Sequence, residues 1–585
     1  MLVLAHLFVS AAAAAGFAWR FGHAPQTVAS HLLLLAEWDL LIVAAARTTR
    51  WPRAVSAALF ASTVTAQTFL YALDAISNAA WGRNATLKLV AAFAPTVWAG
   101  TEPFPVGKVG ITLFFGCTLG IAAAIGSRWT PRHQRPPMLR AAARSALAAI
   151  AFGGTIAWGV AQRDRSAWKD EIVASFFRPV GYAFEPTARR EAIAVRDASV
   201  RAAYPRSVAG AQRANVVLII VDSLRADRMQ VYGYPRATTP FLDAMVAGGR
   251  MKRVVEAFST CSESFCGITS TLASREFRDI SARTYQLQDV LQDEGYRAWF
   301  LLAGNHSAWN GLPQFYHVRD ESLFDGSRTL QYTMDDDRVV LEGLDRVPTA
   351  APGQPAFFYL HLMSTHYLGV QFPESHLFTR PDDDVSPGAE PYSILPELDK
   401  PDRYDDKVRQ ADEMIARIFD ALRAKGYLDR AIVVITGDHG EGLGERHWAH
   451  GWHLYNEDMR IPLLIYDSPA ASYPDLRFAA QVDIAPTIVD RLGLPVPSSW
   501  EGQSLLTPTP TRFTYHQTYF TPNRFAVLYR NDAALFKFIA TPDYGKEELY
   551  DLTADRAEAR NLVAERPALA TLLREKVREY RRDDR

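Results

Sequence analysis

The sequence predicts an α/β protein in two parts: a helical membrane domain, then a globular domain with a mostly parallel sheet flanked by helices. Two observations predict this. The first 160 residues are rich in Ala and Leu and contain long apolar runs, and from residue 215 onward short apolar strands alternate with helical segments. The chain has 585 residues, too many for one hydrophobic core. We expect a membrane domain at 1–160, an amphipathic linker at 161–213 and a globular domain at 214–585.

Five apolar stretches have about the length that crosses a bilayer and predict five transmembrane helices. They cover residues 2–19, 28–46, 54–73, 106–125 and 146–160. We expect the first to stay in the protein rather than be cleaved, because no charge precedes it and further spans follow. A sixth run, residues 87–99, is short and contains Lys88 and Pro95, so we interpret it as an interfacial or periplasmic helix. The alternative is a set of buried core helices in a soluble protein.

Arginines between the apolar stretches predict the orientation in the membrane. Cytoplasmic loops are enriched in Arg and Lys. Three arginines separate the second and third stretches, and five precede the fifth: Arg47, Arg50, Arg53, Arg128, Arg132, Arg135, Arg140 and Arg144. With five spans, both groups are cytoplasmic and the globular domain lies outside the membrane. A span at residues 87–99 would place the two groups on opposite sides.

Charge and composition limit the partners and the location. The formal net charge is -1, so no attraction to nucleic acid is expected. Enrichment in Ala and Arg favours a high-GC bacterial source. With the predicted spans, we expect a multi-pass protein of a bacterial inner membrane whose catalytic domain is periplasmic or extracellular. The sequence does not indicate the oligomeric state.

The clearest strands of the globular domain are five apolar runs. They read VVLIIV, RAWFLLA, AFFYLHL, AIVVIT and PLLIYD, and residues 406–426 have helical spacing between two of them. Residues 373–401 are rich in Pro and acidic residues and are interpreted as a surface insertion.

Two of these strands end in side chains typical of metal ligands. Asp222 follows VVLIIV, and Asp438 and His439 follow AIVVIT. Parallel α/β sheets bind ligands at the carboxyl ends of their strands. Oxygen and nitrogen ligands suit zinc, manganese, magnesium or calcium, so a divalent metal ion is predicted without its identity. The alternative is a structural polar cap. Arg225 and Asp227, close to Asp222, are expected to be structural.

Seven segments in order resemble the sulfatase-like branch of the alkaline phosphatase superfamily. They are VLIIVDSLRADRMQVYGYPRATTPFLD, STCSESFCGITSTLAS, HLMSTHY, ITGDHGE, HG at 450–451, QVDIAPTIVDRLGLPVP and ELYDLTADRAEARNL. The resemblance covers residues 215–562 and implies an alkaline-phosphatase-like domain. Five spans followed by such a domain are similar to phosphoethanolamine transferases and lipoteichoic acid synthases.

The resemblance implies a nucleophile at the start of a helix that faces the metal, and Ser264 takes that position as a fourth ligand. Cys261 is the rival, because sulfatases carry CxPSR and oxidise the Cys; here the segment reads CSESF. Ser262 and Thr260 are further alternatives. Cys261 and Cys266 either form a disulfide that stiffens this turn or remain as buried thiols.

Two histidines are expected to contact the substrate. The resemblance assigns His366 to a contact with the phosphate or sulfate, and His450 to a similar contact and to protonation of the leaving oxygen. His447 and His453 are alternatives to His450. His516 is interpreted as structural. Trp448 and Trp452 are expected near the site entrance, where they contact lipid or simply pack.

The resulting hypothesis is an enzyme that transfers a phospho-headgroup from phospholipid to an envelope glycan or lipid acceptor through a covalent intermediate on a Ser/Thr-type nucleophile. One alternative is a membrane-anchored sulfatase or phosphodiesterase with water as the acceptor. The other is a non-catalytic lipid-binding regulator. The first ligand, Asp222, is typical of hydrolases, whereas headgroup transferases usually have Glu there. The predicted membrane domain favours the transferase.

Overall fold

The computed structural model divides the chain into two compact units, Met1–Gly181 and Tyr182–Arg585. The residues that the structure describes are 10–12, 14–16, 25–49, 53–81, 87, 138–161, 168, 171–177, 188–206, 208, 210–304, 312–379, 401–468, 473–518, 524–542 and 545–582.

The first unit is helical in its described part. Its helices are α1 (Pro25–Thr49), α2 (Arg53–Trp81), α3 (Met138–Ala161) and α4 (Ile172–Phe177). They contain the predicted stretches 28–46, 54–73 and 146–160. Among the described residues, none of the helices combines the length and apolarity needed to cross a bilayer. The predicted span 106–125 lies outside the described residues, as do most of 2–19 and of the run 87–99.

A buried polar network joins the helices of the first unit. His31 in α1 is 2% exposed. Its Nδ1 lies 2.7 Å from a carboxylate oxygen of Glu171, and its Nε2 lies 2.6 Å from the hydroxyl of Tyr71 in α2. The second oxygen of Glu171 accepts from the backbone N–H of Ala174 in α4 at 2.6 Å. The network therefore links α1, α2 and α4.

The second unit is built around a seven-stranded sheet with the order β2-β11-β7-β1-β6-β4-β5. These strands are β1 (Asn215–Val221), β2 (Met251–Arg253), β4 (Arg297–Leu302), β5 (Leu323–Phe324), β6 (Ala356–Leu362), β7 (Ala431–Gly437) and β11 (Leu463–Asp467). The pairs among β7, β1, β6, β4 and β5 are parallel, and β11 pairs antiparallel with β7 and β2. The prediction of a mostly parallel sheet is confirmed, and all five predicted apolar runs are strands in it.

Helices cover both faces of this sheet. The helices described in the second unit are α5 (Ala188–Ala203), α6 (Pro240–Ala247), α7 (Ser264–Ala273), α8 (Leu287–Asp293), α9 (Arg338–Arg346), α10 (Pro401–Ala424), α11 (Asn456–Met459), α12 (Ile484–Arg491) and α13 (Pro567–Arg582). In β1, Val216, Leu218 and Ile220 pack with α7 and α12 on one face. The alternate residues Val217 and Ile219 pack with α9 and α10 on the other. Burial on both faces explains the unbroken apolar sequence of this strand.

Three smaller sheets complete the second unit in its described part. Their strands are β3 (Glu256–Phe258), β8 (Gly442–Leu443), β9 (Trp448–Ala449), β10 (Arg460–Ile461), β12 (Phe478–Ala480), β13 (Arg512–Gln517), β14 (Phe525–Arg530), β15 (Leu535–Thr541) and β16 (Lys546–Asp551). Strands β13 to β16 form an antiparallel sheet in sequential order, and its apolar residues pack against α13. Residues 380–400 of the predicted insertion lie outside the described residues.

The linker predicted at 161–213 contains α5, which packs against the globular part of the second unit through ion pairs. Arg201 contacts Asp289 at 3.1 Å and Asp293 at 2.8 Å. Asp197 in the same helix accepts from buried Arg275 at 2.5 Å. These contacts fix α5 to the α/β core.

Candidate active site

Three adjacent strands bring the candidate metal ligands together. Asp222 follows β1, Asp438 and His439 follow β7, and His361 is the next-to-last residue of β6. Because β6, β1 and β7 are parallel neighbours, their carboxyl ends meet at one edge of the sheet. Ligand atoms of Asp222, His361 and Asp438 all lie within 4.8 Å of one another.

The two histidines face the two carboxylates. His439 Nε2 lies 3.8 Å from Asp222 Oδ1 and 3.6 Å from Asp438 Oδ2. His361 Nε2 lies 3.8 Å from Asp222 Oδ2 and 4.0 Å from Asp438 Oδ2. These separations exceed a hydrogen bond, so the four side chains surround a common space without closing it.

Ser264 joins this group from helix α7. It is the first residue of α7, and its Oγ lies 3.3 Å from Asp222 Oδ2 and 3.0 Å from His439 Nε2. The close approach of the helix depends on Gly267, where a Cβ atom would lie 2.4 Å from the carbonyl oxygen of Asp438. The sequence around Ser264 therefore allows the helix start to touch the end of β7.

The electrostatics of this space fit a bound cation. Burial, and then the Asp438 carboxylate, raise the pKa of Asp222 well above its ordinary value. Asp438 is fully buried, and within the described part of the chain its Oδ2 has no hydrogen-bond donor. Two buried carboxylates without a compensating charge are costly, and a divalent cation between them removes that cost. Aspartate and histidine are ligands for such an ion.

Backbone contacts orient the ligands. Nδ1 of His439 lies 2.7 Å from the carbonyl oxygen of Gly440, so this nitrogen donates and Nε2 presents its lone pair to the site. Burial lowers the pKa of His439, which favours this neutral form. Ser223 has a φ of 61°, and in this conformation its backbone N–H donates to Asp438 Oδ1 at 3.0 Å while its hydroxyl donates to Asp222 Oδ1 at 3.0 Å. A strained residue thus ties the two carboxylates together.

The two predicted substrate histidines lie beside the ligands. The ring of His450 is 4.2 Å from that of His439 and 5.5 Å from that of His366, measured between ring centres. Nδ1 of His450 lies 3.0 Å from the buried carboxylate of Glu441. Burial disfavours charge on His450, but the Glu441 carboxylate outweighs it and raises the pKa of His450 to about 9. Burial, with neighbouring positive charges, holds the pKa of His366 well below its ordinary value.

The other candidate nucleophiles are placed differently from Ser264. Cys261 and Cys266 form a disulfide with their Cα atoms 6.2 Å apart, so Cys261 has no free thiol. The hydroxyl groups of Thr260 and Ser262 are buried and make no hydrogen bond within the described residues. Glu263 caps α7 by accepting from the backbone N–H groups of Phe265 and Cys266.

The remaining predicted residues are engaged in structural contacts. His447 pairs with Asp458 at 3.0 Å and stacks on His453 with ring centres 4.1 Å apart. The carboxylate of Asp227 accepts twice from Arg225, at 3.0 and 2.8 Å.

Two more predicted residues are buried. His516 lies 2.7 Å from the carbonyl oxygen of Ser259 and 2.9 Å from the hydroxyl of Thr514. Trp452 is 5% exposed, so it packs within the unit. The side chain of Trp448 lies outside the described residues.

Sequence reasoning missed two residues of this site, His361 and Glu441. They stand in the segments AFFYLHL and ITGDHGE. A single polar residue inside the otherwise apolar strand β6 was the available signal for His361. For Glu441, the signal was a third ionisable residue directly after Asp438 and His439.

The second unit contains a domain that matches a known protein family. Residues 214–494 match the family model described as sulfatase. This domain belongs to the sulfatase-like branch of the alkaline phosphatase superfamily. The prediction made from the seven sequence segments is therefore confirmed.

Relatives of the sulfatase domain carry the names of two kinds of enzyme. The chain is 32% identical over 199 residues to an N-acetylglucosamine-6-O-sulfatase of Bacteroides thetaiotaomicron, covering 30% of this chain and 35% of the relative. It is 27% identical over 275 residues to phosphoethanolamine transferase EptC of Escherichia coli, covering 44% of this chain and 46% of the relative. The first curated relatives are each matched over about a third of their length.

One solved structure aligns with most of the chain. It is the integral membrane protein lipooligosaccharide phosphoethanolamine transferase A of Neisseria meningitidis, with a TM-score of 0.48 and 16% identity. The alignment covers 82% of this chain and 91% of that structure.

Proposed function

We propose that the protein is a metal-dependent enzyme that transfers a phospho-headgroup from phospholipid to an envelope glycan or lipid acceptor through a covalent intermediate on Ser264. The observation that carries this proposal is the position of the Ser264 hydroxyl, 3.0 Å from His439 and 3.3 Å from Asp222 at the start of α7. The disulfide at Cys261 supports it, because a bonded sulfur is not available for the oxidation that sulfatases carry out on this Cys.

Asp222, His361, Asp438 and His439 would hold the divalent metal ion, with Ser264 beside it. When bound, such an ion lowers the pKa of a hydroxyl and neutralises charge on a transferring phosphoryl group. The protein contributes the placement. Glu263, which accepts from the backbone N–H groups of Phe265 and Cys266, fixes the start of α7 and with it the position of Ser264.

Two displacements complete the reaction. Ser264 Oγ forms a bond to the headgroup phosphorus, and the bond from phosphorus to the diacylglycerol oxygen breaks. His450, which Glu441 keeps protonated at neutral pH, donates a proton to the leaving oxygen. In the second displacement the acceptor hydroxyl gives its proton to His450, which lost one in the first, and its oxygen forms a bond to phosphorus while the bond from phosphorus to Ser264 Oγ breaks. The serine hydroxyl proton, lost to solvent before the first attack, is regained when the cycle ends. Covalent catalysis gains by splitting one difficult displacement into two easier ones.

Mass spectrometry of the protein after incubation with phospholipid tests this proposal. We expect a headgroup adduct on the wild-type peptide that contains Ser264, and no adduct on Ser264→Ala. Ser262→Ala is the matched control, because it removes a neighbouring buried hydroxyl and should leave the adduct intact. A full-strength adduct on Ser264→Ala would overturn the assignment.

We further propose that the first unit anchors the enzyme in a bacterial inner membrane, with the catalytic domain outside the cytoplasm. The apolar stretches of the sequence and the two groups of arginines support this. Anchoring holds the active site at the lipid surface and raises the effective substrate concentration. Extraction of the protein from membranes by alkaline carbonate would contradict it.

A hydrolase with water as the acceptor is the second candidate, favoured by the relatives named as sulfatases. Purified protein that releases sulfate or phosphate from an aryl ester without any lipid acceptor would support it. The same protein incubated with phospholipid and acceptor separates the two reactions, because only a transferase gives a modified acceptor.

A further inference from the structure

His450 directly follows a short hairpin that begins beside the candidate metal ligands. Strands β8 and β9 of this hairpin pair antiparallel, with Gly442 opposite Ala449. Strand β8 starts three residues after His439, and His450 is the first residue after β9. The position of His450 beside the ligands therefore depends on how the β8–β9 hairpin is held.

Two consecutive residues of α11, Glu457 and Asp458, bind the loop after β7 through their backbone. The N–H of Gly440 donates to the carbonyl oxygen of Asp458 at 2.7 Å. The N–H of Glu441 donates to the carbonyl oxygen of Glu457 at 2.9 Å. A Cβ atom at position 440 would lie 2.0 Å from that same carbonyl oxygen, so the close contact requires glycine there. Helix α11 is thus fixed against the residues that follow His439.

The side chains of the same two residues bind the hairpin. Arg446 contacts the carboxylate of Glu457 at 2.8 and 2.9 Å. Next to it, Nε2 of His447 lies 3.0 Å from Oδ1 of Asp458. The side chain of Arg446 is 28% exposed, whereas those of His447 and Asp458 are 8% and 0% exposed. Because a pair shielded from water costs more to break than an exposed one, the His447–Asp458 pair is the firmer attachment.

The backbone between this pair and His450 is strained. Ala449 has a φ of 60°, a left-handed conformation that costs free energy in a residue with a Cβ atom. Such a conformation persists only where surrounding contacts hold it. His447 provides one contact on one side of Ala449. On the other side, Nδ1 of His450 lies 3.0 Å from Glu441.

We propose that His447 is a positioning residue, whose pair with Asp458 holds the β8–β9 hairpin so that His450 can protonate the leaving oxygen. This inference rests on the proposed function, in which His450 is the general acid. His447 acts through the backbone at Ala449 rather than by touching the substrate. Proton transfer requires hydrogen-bond reach of the leaving oxygen, so a displaced His450 would protonate it less efficiently.

The dependence of the rate on the leaving group tests this role in the full-length, metal-loaded protein. A diacylglycerol oxygen needs a proton as it departs, whereas 4-nitrophenolate is a weak base and departs without one. The two donors are phosphatidylethanolamine in detergent micelles and the 4-nitrophenyl ester of phosphoethanolamine. We expect His447→Phe to slow adduct formation on Ser264 about tenfold or more with the phospholipid, and less than about threefold with the nitrophenyl ester. A side chain that only stabilised the fold would affect both donors equally.

Three further variants complete the comparison. His447→Gln keeps a donor toward Asp458 and should retain most of the rate with both donors. His317→Phe is the matched control, because His317 forms a similar pair with Asp289 of α8, at 2.8 Å, and its loss should leave the ratio of the two rates unchanged. If His447→Phe does not fold, the double variant with Asp458→Asn removes the pair without leaving a carboxylate buried alone.

An equal loss with both donors, or no loss with either, would overturn the inference. Hydrogen exchange of the full chain gives a second measurement that needs no turnover. Amides of residues 442–450 should exchange about tenfold faster in His447→Phe than in wild type, and unchanged exchange would contradict the positioning role. If wild type forms no adduct on Ser264 while this exchange increases as expected, the transferase is refuted and the attachment of the hairpin through His447 stands.

Discussion

Two buried groups of charges in the second unit differ in how their charges are balanced. In the C-terminal region, Lys537 and Glu558 are fully buried and lie 2.7 Å apart. The ammonium group also donates to the carbonyl oxygen of Leu454 and to the side chain of Asn456, at 2.9 and 2.7 Å. At the active site, by contrast, the carboxylates of Asp222 and Asp438 repel each other, and Asp438 Oδ2 has no donor within the described residues.

This difference distinguishes charges that stabilise the fold from charges kept for a ligand. In a buried pair of opposite sign with hydrogen bonds on its remaining atoms, each charge is already compensated within the protein. A buried pair of like sign raises the free energy of the folded protein unless a cation joins it. The second unit thus contains both kinds, and substitutions should affect them in opposite ways.

The largest effect is expected at the active site. Asp438→Asn removes one ligand and one of the two repelling charges, so activity should fall at least about a thousandfold, or about 4 kcal/mol of barrier. Without metal, the same variant should be no less stable than wild type. Initial rates and thermal unfolding in the presence of a chelator measure the two effects. Near-normal activity would show that the carboxylate does not take part in the reaction.

Substitution in the Lys537–Glu558 pair should instead lower the stability of the fold. Glu558→Gln leaves the Lys537 ammonium buried without its counter-charge, so the free energy of unfolding should fall by about 3 kcal/mol. Denaturant titration of the full chain measures this loss. A double variant, Lys537→Met with Glu558→Leu, is the control, because it removes both charges and should recover much of the stability.

A buried neutral group gives a smaller effect that depends on pH. Burial lowers the pKa of His516 to about 3, below the ordinary value of about 6.5. The unfolded chain therefore binds a proton that the folded chain does not, and stability is lost as pH falls below about 6.5. Between pH 6 and 5 the loss from this residue should be about 1 kcal/mol. Denaturant midpoints of wild type and His516→Gln at these two pH values measure the loss. If stability falls equally in both proteins between pH 6 and 5, the prediction is wrong.

The smallest effect is expected for a charge pair near the surface. Arg574 in α13 contacts Glu547 through two hydrogen bonds of 2.7 Å, and both side chains are more than a quarter exposed. Arg574→Ala should lower the free energy of unfolding by only about 0.5 kcal/mol. A loss as large as that of Glu558→Gln would remove the distinction between buried and exposed pairs.

The central sheet could be predicted because its strands are apolar on both faces. Unbroken runs such as that of β1 arise from burial between two layers of helices. The antiparallel sheet β13 to β16 was not predicted, since its strands mix polar and apolar residues. Strand β15 even contains Lys537, whose burial depends on Glu558, a residue outside the strand. Such long-range compensation leaves no local pattern in the sequence.

The site was predictable to the extent that its residues follow strands. Asp222, Asp438 and His439 stand directly after apolar runs, which marked them as candidates. His361 precedes the end of β6, in register with Ile220 of β1, so it does not stand directly after an apolar run as Asp222 does.

The arrangement of β6, β1 and β7 also has a consequence for biogenesis. The central strand β1 is synthesised first, yet its two neighbours lie 141 and 216 positions later along the chain, as the pairs Val216–Phe357 and Val216–Ile432 show. A nascent chain that has not reached residue 438 lacks two of the proposed ligands, Asp438 and His439. The proposed metal site can therefore form only after β6, β1 and β7 have paired. A chain truncated before residue 438 would lack that site.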